Sequence, residues 1–99
     1  MAQVKVTVVD DRPVCDPEQL DVSGNNVNIK WKMDTAGWSI TDITGLPADV
    51  FEDPGKDGKG YKVKDKGGVG EWNYTVVLAP DGEGASISVD PSIRNLPDL

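Results

Sequence analysis

A two-residue alternation of apolar and polar side chains most restricts how this chain can fold. In the clearest run, the apolar positions are Val27, Ile29, Trp31 and Met33. A second run extends from Trp72 to Leu78. Because successive side chains of a β-strand point to opposite faces of a sheet, this period buries one face and leaves the other in water. The alternation predicts half-buried β-strands.

Shorter alternations and turn signals complete the pattern. The shorter runs begin at Val4, Trp38, Tyr61 and Ile87. The extended segment from Val14 to Val22 contains Pro17, which cannot donate a ladder hydrogen bond and is expected at a sheet edge or a bulge. Turn dipeptides such as Asp57-Gly58 separate the runs. About seven short strands are predicted, arranged as an all-β, antiparallel Greek-key β-sandwich.

One short helical turn is expected in the crossover after Thr44. Pro47 suits the first position of a helix, and Phe51 would then point inward. The glycine-containing stretches 54–60 and 65–70 are predicted to be loops.

Length and charge bound the function classes. Residues 1–99 are enough for one domain with a single core. The net charge is −7 and the pI about 4.3, so nucleic-acid phosphates and anionic membranes would be repelled, and neither is expected as a partner. No apolar run approaches a membrane span or a signal-peptide core. A cytoplasmic location is expected, or a secreted or periplasmic one if a leader has been removed.

The second half of the chain resembles a known family. The segment from Gly70 to Pro80, a glycine-rich turn, and the segment from Ala85 to Val89 are similar to the metal-site hairpin of small blue-copper proteins. Trp31 lies in a strand like the one before the family's first copper histidine. Over residues 14–95 the chain resembles a cupredoxin-like β-sandwich, of the kind found in bacterial domains of unknown function.

The resemblance implies a scaffold without its copper ligands. Trp38-Ser39-Ile40 falls where the first copper histidine would be, Val76 at the cysteine, Ala79 at the following histidine, and Glu83 or Gly84 near the axial methionine. The chain contains no histidine, and a blue-copper centre needs imidazole and thiolate ligands. A metal-free domain with no cofactor is therefore expected.

No group of residues predicts catalysis. Without histidine, Ser–His and Cys–His pairs cannot form. Cys15 is the sole cysteine, so no intrachain disulfide can form. The segment 53–58 faintly resembles a calcium loop, but Lys64 occupies the place of the closing glutamate. We therefore expect no catalytic, cofactor-binding or metal-binding residues and no enzyme activity.

The chain is expected to act as a non-catalytic binding or interaction/assembly module. Its partner would be another protein or a second copy, the latter pairing through Val4–Val9 as an exposed edge that Lys5 partly protects. Loops at the end of a rigid sandwich commonly carry binding sites. The expected binding surface, with the Phe51 loop beside it, consists of Trp38, Ser39, Ala79, Asp81 and Glu83.

Two alternatives stay open. One is a carbohydrate- or small-ligand-binding module that uses an exposed Trp38, since Trp31 and Trp72 share the period of the predicted core. The other is a redox or metal role through Cys15.

Overall fold

The computed structural model describes residues 2–97, and this part of the chain forms strands and loops without a helix. The predicted all-β class is confirmed. No helix long and apolar enough to cross a membrane occurs in these residues. The strands are β1 (Ala2–Val9), β2 (Arg12–Asp16), β3 (Gln19–Val22), β4 (Val27–Met33), β5 (Trp38–Thr44), β6 (Phe51–Asp57), β7 (Gly60–Asp65), β8 (Gly70–Asn73), β9 (Thr75–Pro80), β10 (Ile87–Val89) and β11 (Ser92–Asn95).

One layer is a five-stranded sheet in the order β2-β1-β4-β7-β6. β1 runs parallel to β4, and the other neighbours are antiparallel. The expectation that Val4–Val9 forms an exposed edge is wrong, because β1 lies between β2 and β4. Val4 and Val6 are fully buried on the inner face of this strand. The edges of this sheet are β2, which contains Pro13, and β6.

The other layer is built on one long kinked hairpin from Gly70 to Asn95. β9 pairs with β10 and β8 pairs with β11 in a continuous register. Between the two halves, the Tyr74 N–H donates to the Pro91 carbonyl at 3.1 Å, which carries the ladder across the break. β5 pairs with β9 in one half and runs antiparallel to it. β3 pairs with β11 in the other half and runs parallel to it.

The structure has eleven strands rather than about seven for local reasons. The predicted strand from Val14 to Val22 is interrupted at Pro17 into β2 and β3, which lie in different sheets at edge positions. The run from Trp72 to Leu78 is interrupted at Tyr74, and the tail adds β11 after Pro91.

The segment before Phe51 makes a single turn that does not continue into a helix. The N–H groups of Val50 and Phe51 both donate to the Pro47 carbonyl, at 3.2 and 3.0 Å, as in one α-turn. Phe51 then opens β6, so residues 54–57, expected in a loop, belong to this strand. A residue that precedes proline is disfavoured in the α conformation, so Asp53-Pro54 opposes a helix here; the register shifts at this point as a bulge. Similarly, β7 extends to Asp65 and shortens the second predicted loop.

The two layers enclose one apolar core. Trp31 is fully buried as predicted, and its indole N–H donates to the Tyr74 hydroxyl at 2.9 Å. Burial raises the pKa of that phenol. Trp72, on the other side of the break at Tyr74, is only half-buried. Its ring packs edge-on against Phe51, with the ring centroids 5.3 Å apart. The expectation that both tryptophans lie in the core therefore holds fully for Trp31 alone.

Candidate functional site

The predicted binding surface is assembled at one end of the sandwich. Trp38 and Ser39 open β5 and lie opposite Pro80 and Ala79 at the end of β9. Asp81 follows directly. Glu83 is exposed in the bend 81–84, away from the strand ladder.

Asp81 is already engaged by neighbouring side chains. Its carboxylate accepts hydrogen bonds from the Ser39 hydroxyl and the Lys59 ammonium group, one on each oxygen. The hydrogen bond from Lys59 and, to a smaller extent, that from Ser39 hold the pKa of the Asp81 carboxyl below its usual value. Its backbone N–H also donates to the Gly37 carbonyl at 2.9 Å. Through these contacts, Asp81 connects the end of β9 to β5 and to the β6–β7 hairpin.

Trp38 is less accessible than expected. It is half-buried and packs against the apolar core. Phe51 lies at the far end of the β6–β7 hairpin from this surface, so the expected loop around Phe51 does not frame it. The position of Trp38 follows from the pairing of β5 with the distant β9, and that of Phe51 from the β6–β7 hairpin, which places Phe51 opposite Asp65.

Two of the positions related by resemblance to copper ligands are apolar residues of β9. Val76 is fully buried in β9, and Ala79 is half-buried opposite Ser39. Within residues 2–97, no three acidic or cysteine side chains converge as a metal-ion site.

Cys15 faces the core from β2. It is a free cysteine with 6% exposure, and burial, with a smaller contribution from the Glu18 charge, raises the pKa of its thiol to about 11. Because the thiolate is the reactive form, such a thiol is a poor nucleophile near neutral pH.

We predict that Cys15 resists alkylation until the protein unfolds. At pH 8, the native chain should react with iodoacetamide at least about tenfold more slowly than the chain in urea, because little thiolate is present and access is closed. Mass spectrometry of timed samples measures both rates. Equal rates would contradict the buried position and would revive a redox role.

The outer face of the five-stranded sheet carries a concentration of lysines that the sequence pattern did not reveal. β1, β4 and β7 are its three central strands, and they present five lysines to solvent. Lys5 lies directly opposite Lys32, and Lys30 directly opposite Lys62. We call this surface the lysine face: Lys5, Lys30, Lys32, Lys62 and Lys64.

Acidic side chains form the rim of the lysine face. Lys5 reaches Asp34 at 3.4 Å, and Lys30 reaches Asp57 at 3.0 Å. Lys64 lies 3.7 Å from Glu52. Lys32 and Lys62 form no ion pair among residues 2–97.

A shallow groove of about 540 Å³ lies where the lysine face meets β6. It is lined by Asn28, Lys30, Lys62 and Lys64 and, toward β6, by Asp53 and Asp57. It is open to solvent and mixed in polarity, so it suits a side chain rather than an enclosed small molecule.

A buried polar pair lies at the opposite end of the sandwich from Trp38. Asp65 is fully buried, and its Oδ1 accepts hydrogen bonds from the Asn95 amide at 2.8 Å and the Gly67 N–H at 2.9 Å. Among residues 2–97, the second oxygen of Asp65 and the amide oxygen of Asn95 find no hydrogen-bond partner. The contact connects β7 to β11 across the two layers.

Sequence reasoning missed the lysine face because its lysines come from three separate segments. Lys30 and Lys32 were recognised only as the water-exposed positions of one strand. The spacing of Lys62 and Lys64 repeats that pattern, but their juxtaposition depends on the β4–β7 register. The buried position of Asp65 was not predicted, because the alternation predicts a strand at Tyr61 and Val63 and a loop from residue 65.

No protein-family model matches the chain, and no curated protein shows significant sequence similarity to it.

Proposed function

We propose that this chain is a non-catalytic, metal-free domain that works as an interaction or assembly module through the lysine face. The direct opposition of Lys30 and Lys62 carries the proposal. Side chains directly opposite across antiparallel strands lie about 4.5–5.5 Å apart at Cβ, and like charges there are destabilising. Because this pair does not stabilise the sheet, a binding role explains the two lysines better than a structural one.

The distribution of the remaining charge supports this proposal. The molecule is acidic overall, with 17 acidic and 10 basic residues, yet half of its basic residues lie on one sheet face. The rest of the molecule carries the other five basic residues and most of the acidic ones. Long-range steering would therefore guide an acidic partner toward the lysine face.

We also propose that the scaffold is a cupredoxin-like Greek-key sandwich. The repeated crossing of the chain between the two layers supports this assignment. The apolar residues Val76 and Ala79 fit a version of the scaffold that holds no copper.

Affinity capture with matched charge variants tests the proposed function. Wild-type protein, the double variant Lys30→Glu/Lys62→Glu and the control Lys56→Glu/Lys66→Glu would be used as baits in lysate of the source cells. The two double variants have the same net charge, but the control leaves the lysine face unchanged. We expect wild type and control to retain the same partner protein and the face variant to lose it. Equal capture by all three baits, or substrate turnover by the purified chain, would refute the proposal.

A further inference from the structure

We infer that the partner is an acidic protein segment that carries an apolar side chain, with its acids against the lysine face and the apolar group at the adjacent corner. This inference rests on the proposed function and specifies its ligand. Three observations carry it. The first is the basic centre with its acidic rim, and the second is Lys62, which lines the groove and forms no ion pair among residues 2–97. The third is an exposed valine pair on the same face, at the β1–β2 corner across the sheet from the groove.

The charge pattern of the face selects an acidic partner over a second copy. The lysines occupy the three central strands, whereas Asp16 on β2 and Glu52 and Asp57 on β6 lie toward the two edges. A symmetric face-to-face dimer would place basic centre against basic centre. Like-charge contact of that kind is strongly unfavourable in an interface. The complementary surface has acids at its centre.

The groove offers a place for a partner's carboxylate. Lys62 lines the groove and forms no ion pair among residues 2–97, and Lys30 stands opposite it and is paired with Asp57. The acids of the groove, Asp53 and Asp57, lie on its β6 side. A carboxylate placed between Lys30 and Lys62 would relieve the repulsion between them. The bound carboxylate would thus supply a negative charge between Lys30 and Lys62, and this favourable contact would stabilise the complex.

An apolar contact lies at the corner where β1 meets β2. Val9 is 56% exposed and Val14 is 44% exposed, and both point outward on the same face as the lysines. Val9 pairs with Arg12 and Val14 with Thr7, so the two valines are diagonal neighbours, close enough for one side chain to touch both. Burial of this pair would contribute favourable free energy at about 25 cal/mol per Å².

A protein segment fits this surface better than a nucleic acid does. The acidic rim and the net charge of −7 repel a nucleic acid, which carries a phosphate on every nucleotide. The described outward positions of β1, β4 and β7 include no aromatic ring on which a base could stack. The exposed valines, in contrast, favour an aliphatic side chain.

Fluorescence anisotropy with defined peptides tests the inference. The probe is a labelled heptapeptide of glutamate and aspartate with one central leucine, and a second probe has serine in place of leucine. We expect Lys62→Glu to weaken binding of the leucine peptide at least about tenfold at low salt. Lys66→Glu, which makes the same charge change outside the face, should weaken it by less than about twofold. Val14→Ser should cost roughly threefold with the leucine peptide and nothing with the serine peptide.

Stability and competing ligands complete the experiment. Lys62→Glu places an acid opposite Lys30, so its Tm should equal or exceed that of wild type, which separates lost binding from lost folding. Equal weakening by Lys62→Glu and Lys66→Glu would overturn the inference, as would tighter binding of short duplex DNA or heparin than of the leucine peptide. If the peptide does not bind but capture from lysate still depends on the lysine face, the ligand class is wrong and the proposed function stands.

Discussion

Replacement of Asn95 by alanine is expected to lower the free energy of unfolding by about 3 kcal/mol. The substitution removes the amide that donates to Asp65 Oδ1 and leaves the fully buried acidic side chain with only the Gly67 N–H. A buried acceptor that loses its partner bears its desolvation cost uncompensated. In a domain of this size the loss corresponds to a fall in Tm of roughly 15 °C. Urea unfolding followed by tryptophan fluorescence measures it.

Asp65→Asn serves as the control for this prediction. An amide at position 65 can still accept from Gly67 and Asn95, and it can donate to the amide oxygen of Asn95, which has no partner in the wild type. This variant should be at least as stable as wild type. If Asn95→Ala were neutral, or Asp65→Asn as damaging as Asn95→Ala, the buried pair would not connect the two layers in the way described.

Gly60→Ala is expected to destabilise the protein by about 3 kcal/mol, at the upper end of the range for overpacking. Gly60 opens β7 beside β4, and a Cβ there would lie 2.2 Å from the backbone oxygen of Trp31. This oxygen belongs to a strand paired on both sides, so it cannot move without disturbing the ladders of β1 and β7. Thermal unfolding followed by circular dichroism measures the change.

Gly55→Ala provides the matched comparison within the same hairpin. A Cβ at Gly55 meets no atom within 4 Å, and its φ is not in the left-handed region. The alanine should leave stability unchanged or raise it by about 0.5 kcal/mol, because it restricts the unfolded chain. Similar losses for both substitutions would mean that β7 does not approach β4 as closely as described.

The sequence predicted most of what depends on local alternation. The strands around Trp31, Val76 and Ile87, and the buried position of Trp31, follow from the period of two. Pro17 was expected at an edge or a bulge of one strand, and in the structure it lies in a break between two edge strands. β6 was missed because its glycine and proline resemble a loop; the bulge that accommodates Pro54 exists only when β7 pairs beside it.

The candidate sites depended on contacts between distant segments. The resemblance to a copper-site hairpin predicted Ser39 and Asp81 at one end of the fold, and the structure brings them together. Nothing local indicated that Lys59 would occupy the second oxygen of Asp81. The lysine face likewise requires the β1–β4 and β4–β7 registers, because a shift of one residue would turn its lysines into the core.

Amide chemical-shift mapping tests the central claim most directly. The ¹⁵N-labelled chain would be titrated with the unlabelled leucine heptapeptide and followed by heteronuclear correlation spectra. The largest shifts should fall on the outward positions of β1, β4 and β7, with Lys30 and Lys62 at their centre, and should vanish in Lys62→Glu. Shifts concentrated at Trp38, Ser39 and Asp81, or a response that Lys62→Glu leaves intact, would contradict binding through the lysine face.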